Sequence, residues 1–188
     1  MFDEPKRIQK LLDSYSGNWM IAGGWGIDLF LNKETRNHHD IEIAIPRKDQ
    51  NRIKEYLKSW DIYYIQKGEK KIWKDHIELI LPIHEIHCYK REAEIEILLN
   101  EFSDDKWVFR RNPKIEYPME SVILKSEIGI PILSPEIILL YKAKNIKEKD
   151  NFDFQNIISK LETKKRNWLF NSISETYGFK HQWIEKIT

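Results

Sequence analysis

Apolar side chains recur along this chain at two periods, and the switches between them mark out its elements. Ile8, Leu11, Leu12 and Tyr15 follow the i, i+3, i+4, i+7 spacing of one helix face, with Pro5 near the first turn and Gly17 as a stop. Met20 to Ala22 reads as the end of a buried strand, Gly23-Gly24 as a sharp turn, and Trp25 to Leu31 as a short helix. From Asp40 to Ile45 the period is two, and Pro46 closes that strand. Ile53, Tyr56, Leu57 and Trp60 return to helical spacing, and Ile62 to Ile65 is a further strand. Residues 66–92 hold the charged turn Lys67-Gly68-Glu69-Lys70-Lys71 and the apolar run Ile77 to Ile83, interrupted by Pro82; short strands and loops are expected there. Glu94 to Leu99 alternates cleanly, with Glu94, Glu96 and Leu98 on one face and Ile95, Ile97 and Leu99 on the other. Trp107 to Arg111 alternates again, and Pro118 to Leu124 is read as an edge strand.

After Gly129-Ile130-Pro131 the texture changes to helices. Ser134-Pro135-Glu136 combines a capping hydroxyl, a first-turn proline and an acid at the positive end of the dipole, and that helix is expected to run to about Lys144. Thr163 to Tyr177 forms another helix stopped by Gly178, and His181 to Ile187 a last turn or two. The order predicts an α+β fold: a mixed, largely antiparallel sheet domain over residues 1–131, then a small helical bundle over 132–188.

Composition narrows the function classes. The chain has 188 residues, 41% of them hydrophobic, enough for a proper core. Thirty-one basic residues against thirty acidic give a net charge of +1, so no global field favours nucleic acid or an anionic membrane over a small ligand. Cys88 stands alone, which excludes an intrachain disulfide, and MFDEPKRIQK lacks the apolar run of a signal peptide; a cytoplasmic protein is expected. No apolar stretch approaches the length of a membrane span.

The candidate chemistry lies between Ile21 and Ile45. A strand, a glycine turn and a helix start bring free N–H groups and the positive end of a dipole together, a cradle for phosphate, although such a turn can equally be only a turn. On the following strand Asp40 and Glu42 share a face, about 7 Å apart by strand rise. That pair can hold one or two divalent metals on phosphate oxygens, or be a solvated sheet face. His84, His87 and Cys88 invite a zinc reading, but a closed site wants four ligands and the chain has no second Cys/His pair.

Gly23-Gly24-Trp25-Gly26-Ile27-Asp28, followed by Thr35-Arg36-Asn37-His38-His39-Asp40-Ile41-Glu42, resembles the nucleotidyltransferase superfamily with the palm of DNA polymerase beta. Within it, the chain resembles the branch of aminoglycoside 2''-adenylyltransferases and lincosamide nucleotidyltransferases; Glu42 stands where that branch more often has aspartate. The resemblance spans nearly the whole chain and implies transfer of a nucleoside monophosphate, AMP from ATP, to a hydroxyl of a small acceptor, with magnesium in a two-metal site. It implies Asp40, Glu42 and a third acid as metal ligands and catalytic groups. Glu96 is the choice for that acid, Glu94 the runner-up, with a role in metal binding or as base. Gly23, Gly24, Arg36 and Lys142 are the implied triphosphate grips, Lys142 favoured over Lys144 because the two point about 200° apart on a helix. His84 or His87 could line the substrate pocket, and Trp107 to Arg111 is similar to the branch's tryptophan and paired-arginine segment. Asp28, Glu94, Asp150 and Asp153 could attract a cationic acceptor, while helix stabilisation explains the last two as well. Two other readings keep the palm: a toxin-like enzyme that modifies tRNA or a protein, and a non-catalytic nucleotide binder.

Overall fold

The computed structural model describes residues 1–187. Its elements in chain order are α1 (Asp3–Leu11), β1 (Met20–Ile21), α2 (Gly23–Leu31), β2 (Glu42–Pro46), α3 (Gln50–Tyr56), β3 (Asp61–Gln66), β4 (Glu69–Ile72), β5 (Glu85–Lys90) and β6 (Ala93–Ser103). Then follow β7 (Lys106–Val108), β8 (Glu116–Pro118), α4 (Met119–Val122), β9 (Ile123–Lys125), β10 (Pro131–Leu133), α5 (Pro135–Lys142), α6 (Glu148–Ile157), α7 (Thr163–Tyr177) and α8 (Ile184–Ile187). The fold is α+β, as the sequence predicts.

The sheet runs β4-β3-β5-β6-β2-β1-β10-β9, with β7 and β8 added beyond β6. Among the described residues only β2/β6 and β1/β10 pair in parallel; the other pairs are antiparallel, so the sheet is mixed and largely antiparallel. Alternation on the central strands feeds two cores. Ile43, Ile45, Ile95, Ile97 and Leu99 face one side and pack with Ile8, Leu12 and Ile53 of the N-terminal half. Met20 and Ala44 face the other, where Ile137, Leu140 and Leu169 of α5 and α7 cover them. The helices after Ser134 thus share a core with the sheet, and β10 carries the sheet two residues past the division expected at Pro131.

Three local expectations change. The strand read over Pro118 to Leu124 is split by the single turn of α4, because Pro118, at φ −60°, leads into a helical turn that buries Val122. The alternation from Trp107 to Arg111 stops at Val108: the Asn112 N–H bonds back to the Phe109 carbonyl, so Arg110 and Arg111 lie in a turn. The helix begun at Pro135 ends at Lys142 rather than Lys144.

Candidate active site

The acids sit where the helix-covered face of the sheet opens to solvent. Parallel register sets Glu42 opposite Glu96, and antiparallel register sets Glu96 opposite His87. Glu42, Glu96 and His87 therefore form a row across three strands on one face, while Ile43, Ile86, Cys88 and Ile97 turn into the core behind it. Asp40 lies just before β2, which starts at Glu42, two residues later than expected, and Asp40 is exposed. Glu94 shares the Glu96 face but sits further out, its side chain 48% exposed and bonded to His87. The register thus places Glu96, rather than Glu94, beside Glu42.

Gly23 makes this arrangement possible. Its φ of +56° is in the left-handed region, and an added Cβ would overlap a carboxylate oxygen of Glu42. At Gly24 a Cβ would strike Arg36 and His38 instead, so the two glycines admit different side chains. The first-turn N–H groups of α2 begin here, beside the acids. Among the described residues, no hydrogen bond or ion pair engages the side chain of Asp40 or Glu42, and His87 Nδ1 lies 3.8 Å from the Glu96 carboxylate. Burial raises the Glu42 carboxyl above its usual value; Lys142 opposes that shift and Asp40 adds to it. Burial likewise pushes Glu96 up to about 7, opposed by His87 and reinforced by the charges of Glu42 and Asp40.

A second group adjoins the row. His87 Nε2 lies 2.7 Å from Glu85, and Glu85, His87 and Glu96 can each present a ligand atom within 4.8 Å of the others. Glu85 was not singled out from the sequence; Glu85-Ile86-His87-Cys88 alternates as a strand does, and that alternation was the available signal. Cys88 faces the core, its thiol pushed up to about 12 by burial, so it and His87 point to opposite sides of β5.

The cleft beside the acids measures about 290 Å³, with Gly23, Asp40 and Glu42 on one side and Arg110, Tyr141 and Lys149 among its other lining residues. His84 and Glu85 line it as well, whereas Glu96 adjoins it as the register partner of Glu42. His84 bonds the Pro82 carbonyl through Nδ1, and burial lowers its pKa, with Arg110 adding to the effect.

Several residues expected at the ligand are paired within the protein. Arg36 grips Asp153 with two hydrogen bonds, Nε to Oδ1 at 2.8 Å and Nη2 to Oδ2 at 3.0 Å, behind Gly24 and away from the cleft lining. Lys142 lines the cleft, but its ammonium bonds Asp150 at 2.7 Å and Asp153 at 3.0 Å. Asp153 is fully buried under these two cations and is no free attractor for a cationic acceptor. Asp150 also accepts the Lys147 N–H and so stabilises the start of α6. Asp28 is fully buried too, taking bonds from the Thr35 N–H and hydroxyl and lying 2.7 Å from His38 Nε2. It fastens the loop before Asp40 and is not open to an acceptor.

The family model described as Aminoglycoside-2''-adenylyltransferase matches residues 6–157. A lincosamide resistance protein of Staphylococcus haemolyticus is 27% identical over 158 residues, 81% of this chain and 91% of that protein. Among solved structures, the lincosamide antibiotic adenylyltransferase LnuA, lincomycin-bound, superposes with a TM-score of 0.60 at 21% identity, over 86% of this chain and 98% of that one. ANT(2'')-Ia in complex with adenylyl-2''-tobramycin gives 0.63 at 15% identity, over 92% and 98%. At those identities the structural likeness is one of fold. The family match spans most of the chain, which therefore belongs to the aminoglycoside-2''-adenylyltransferase family and is a nucleotidyltransferase.

Proposed function

We propose that the protein transfers AMP from ATP to a hydroxyl group of a small antibiotic of the lincosamide or aminoglycoside type, releasing pyrophosphate, with Asp40, Glu42 and Glu96 as its magnesium ligands. The observation that carries this reading is the group of Asp40, Glu42 and Glu96 near Gly23, none of them paired with a lysine or arginine, with the Glu42 and Glu96 carboxyls raised first by burial. Such a donor set fits a hard divalent cation. A divalent ion held by these carboxylates would supply Lewis-acid neutralisation of the charge that develops on the transferred phosphate.

The chain's own groups do the rest. Gly23 and Gly24 open the first turn of α2 to the phosphates, and the Lys142 ammonium lies within the same cleft. Glu96 would either complete the metal site or take the proton of the attacking hydroxyl. Residues 1–131 would supply the acids and residues 132–188 the opposing wall. Such catalysis is mainly positioning and charge neutralisation. A net charge of +1 gives no field that selects tRNA over a small acceptor. No helix among the described residues is long and apolar enough to cross a membrane, and we place the reaction in the cytoplasm.

Mass spectrometry of mixtures holding the protein, ATP, magnesium and a panel of lincosamides, aminoglycosides and bulk tRNA tests the reading. One small acceptor should gain a single AMP, and Asp40→Asn should slow this by two or more orders of magnitude, since one lost charge-stabilising group costs about 3 kcal/mol. Modified tRNA or protein with no modified small molecule would overturn it.

A further inference from the structure

The cleft's cations differ in how far their charge is already used. Lys142 is shared between Asp150 and Asp153, and Arg36 is bound to Asp153 outside the cleft lining. Of the neighbouring guanidinium groups, Arg47 pairs with Glu101 and bonds the carbonyls of Leu79 and Ile83. Arg111 donates to the Tyr141 carbonyl at 2.7 Å. Arg110 has no ion pair and no hydrogen bond among the described residues. Its guanidinium lies over the Tyr141 ring, 5.4 Å from the centroid, in the wall of the cleft that holds Gly23, Asp40 and Glu42.

A partly buried guanidinium with five unused donors, near two like charges, is unfavourable by itself. Burial is the main cause of its lowered pKa, and Arg111 and Arg47 push the same way. The position is held firmly nonetheless: the turn carrying Arg110 is anchored by Phe109, fully buried, whose N–H bonds the Ile115 carbonyl. The side chain is therefore preorganised for an anion, and guanidinium is the group best matched to phosphate oxygens. An anion here also shares the cleft with the carboxylates of Asp40 and Glu42, which repel a bare one. A phosphoanhydride arriving with divalent metal meets both demands.

We propose that Arg110 binds phosphoanhydride oxygens, those of the nucleotide donor and of the pyrophosphate released. This rests on the nucleotidyl-transfer reading and names a binding residue for it. The test is calorimetric titration of inorganic pyrophosphate and of ATP, each with magnesium, into the native protein, Arg110→Gln, Arg110→Lys and Lys10→Gln, the last an exposed control for lost charge. Arg110→Gln should weaken pyrophosphate binding tenfold or more, Arg110→Lys by a smaller factor because it keeps the charge and loses the fork, and Lys10→Gln should match the native protein. Should Arg110→Gln fail to fold, Arg110→Lys decides. Native-like affinity in the folded Arg110 variants would overturn the inference alone. Failure of the native protein to bind either ligand would overturn the nucleotidyl-transfer reading with it.

Discussion

Glu96 carries the most informative charge in the molecule. Its carboxyl is pushed up to about 7 by burial first, with Glu42 and Asp40 adding to the shift. A group that binds its proton more tightly when folded favours the folded state at low pH. That advantage is lost as pH rises from the ordinary glutamate value through about 7. His87, also raised, gives a slope of the same sign. Metal-free protein should therefore lose stability across this window, and Glu96→Gln should flatten the loss by an amount on the order of 1–3 kcal/mol. Urea unfolding at several pH values, with chelator present, measures it; equal slopes in both proteins would refute the assigned environment. The sequence made the candidate acids legible because alternation alone fixes which side chains share a face. It left the Glu96 neighbours obscure, since Glu42 and His87 reach it through register with two other strands.

At the scale of elements, α6 is tied to the α2 side of the site by charge. Asp153, fully buried on α6, binds Arg36 from the loop after α2 and Lys142 from the end of α5. Removing one member of such a group leaves buried charges uncompensated. Asp153→Asn should cost on the order of 3 kcal/mol and lower the thermal midpoint by roughly 6–12 °C, read by circular dichroism. A midpoint within roughly 2 °C of native would show that the pairs hold nothing together. Thr35-Arg36-Asn37-His38 stood out as a segment, but its partners, Asp28 and Asp153, lie at separations of up to 117 residues that spacing cannot reveal. Its threonine, arginine and histidine hold the loop in place, and the loop delivers Asp40.

Over the whole molecule, period-two alternation foretold the two central strands and their faces, and the Ser134-Pro135-Glu136 start foretold the change to helices. Within residues 66–92, β4 was opaque because it is exposed throughout and has no apolar face to declare. The parallel pairing of β2 with β6, which creates the site, is a long-range choice that no local pattern encodes. Two groups on this sheet face compete as the site of a divalent ion: Asp40 and Glu42 with Glu96, as proposed for nucleotidyl transfer, and Glu85, His87 and Glu96. Electron paramagnetic resonance titration of Mn²⁺, with an uncleavable ATP analogue at a pH above the Glu96 value of about 7, separates them. Asp40→Asn and Glu42→Gln should each weaken Mn²⁺ binding at least tenfold, while His87→Gln should change it little. Binding that survives Glu42→Gln and disappears with His87→Gln would contradict the proposed site.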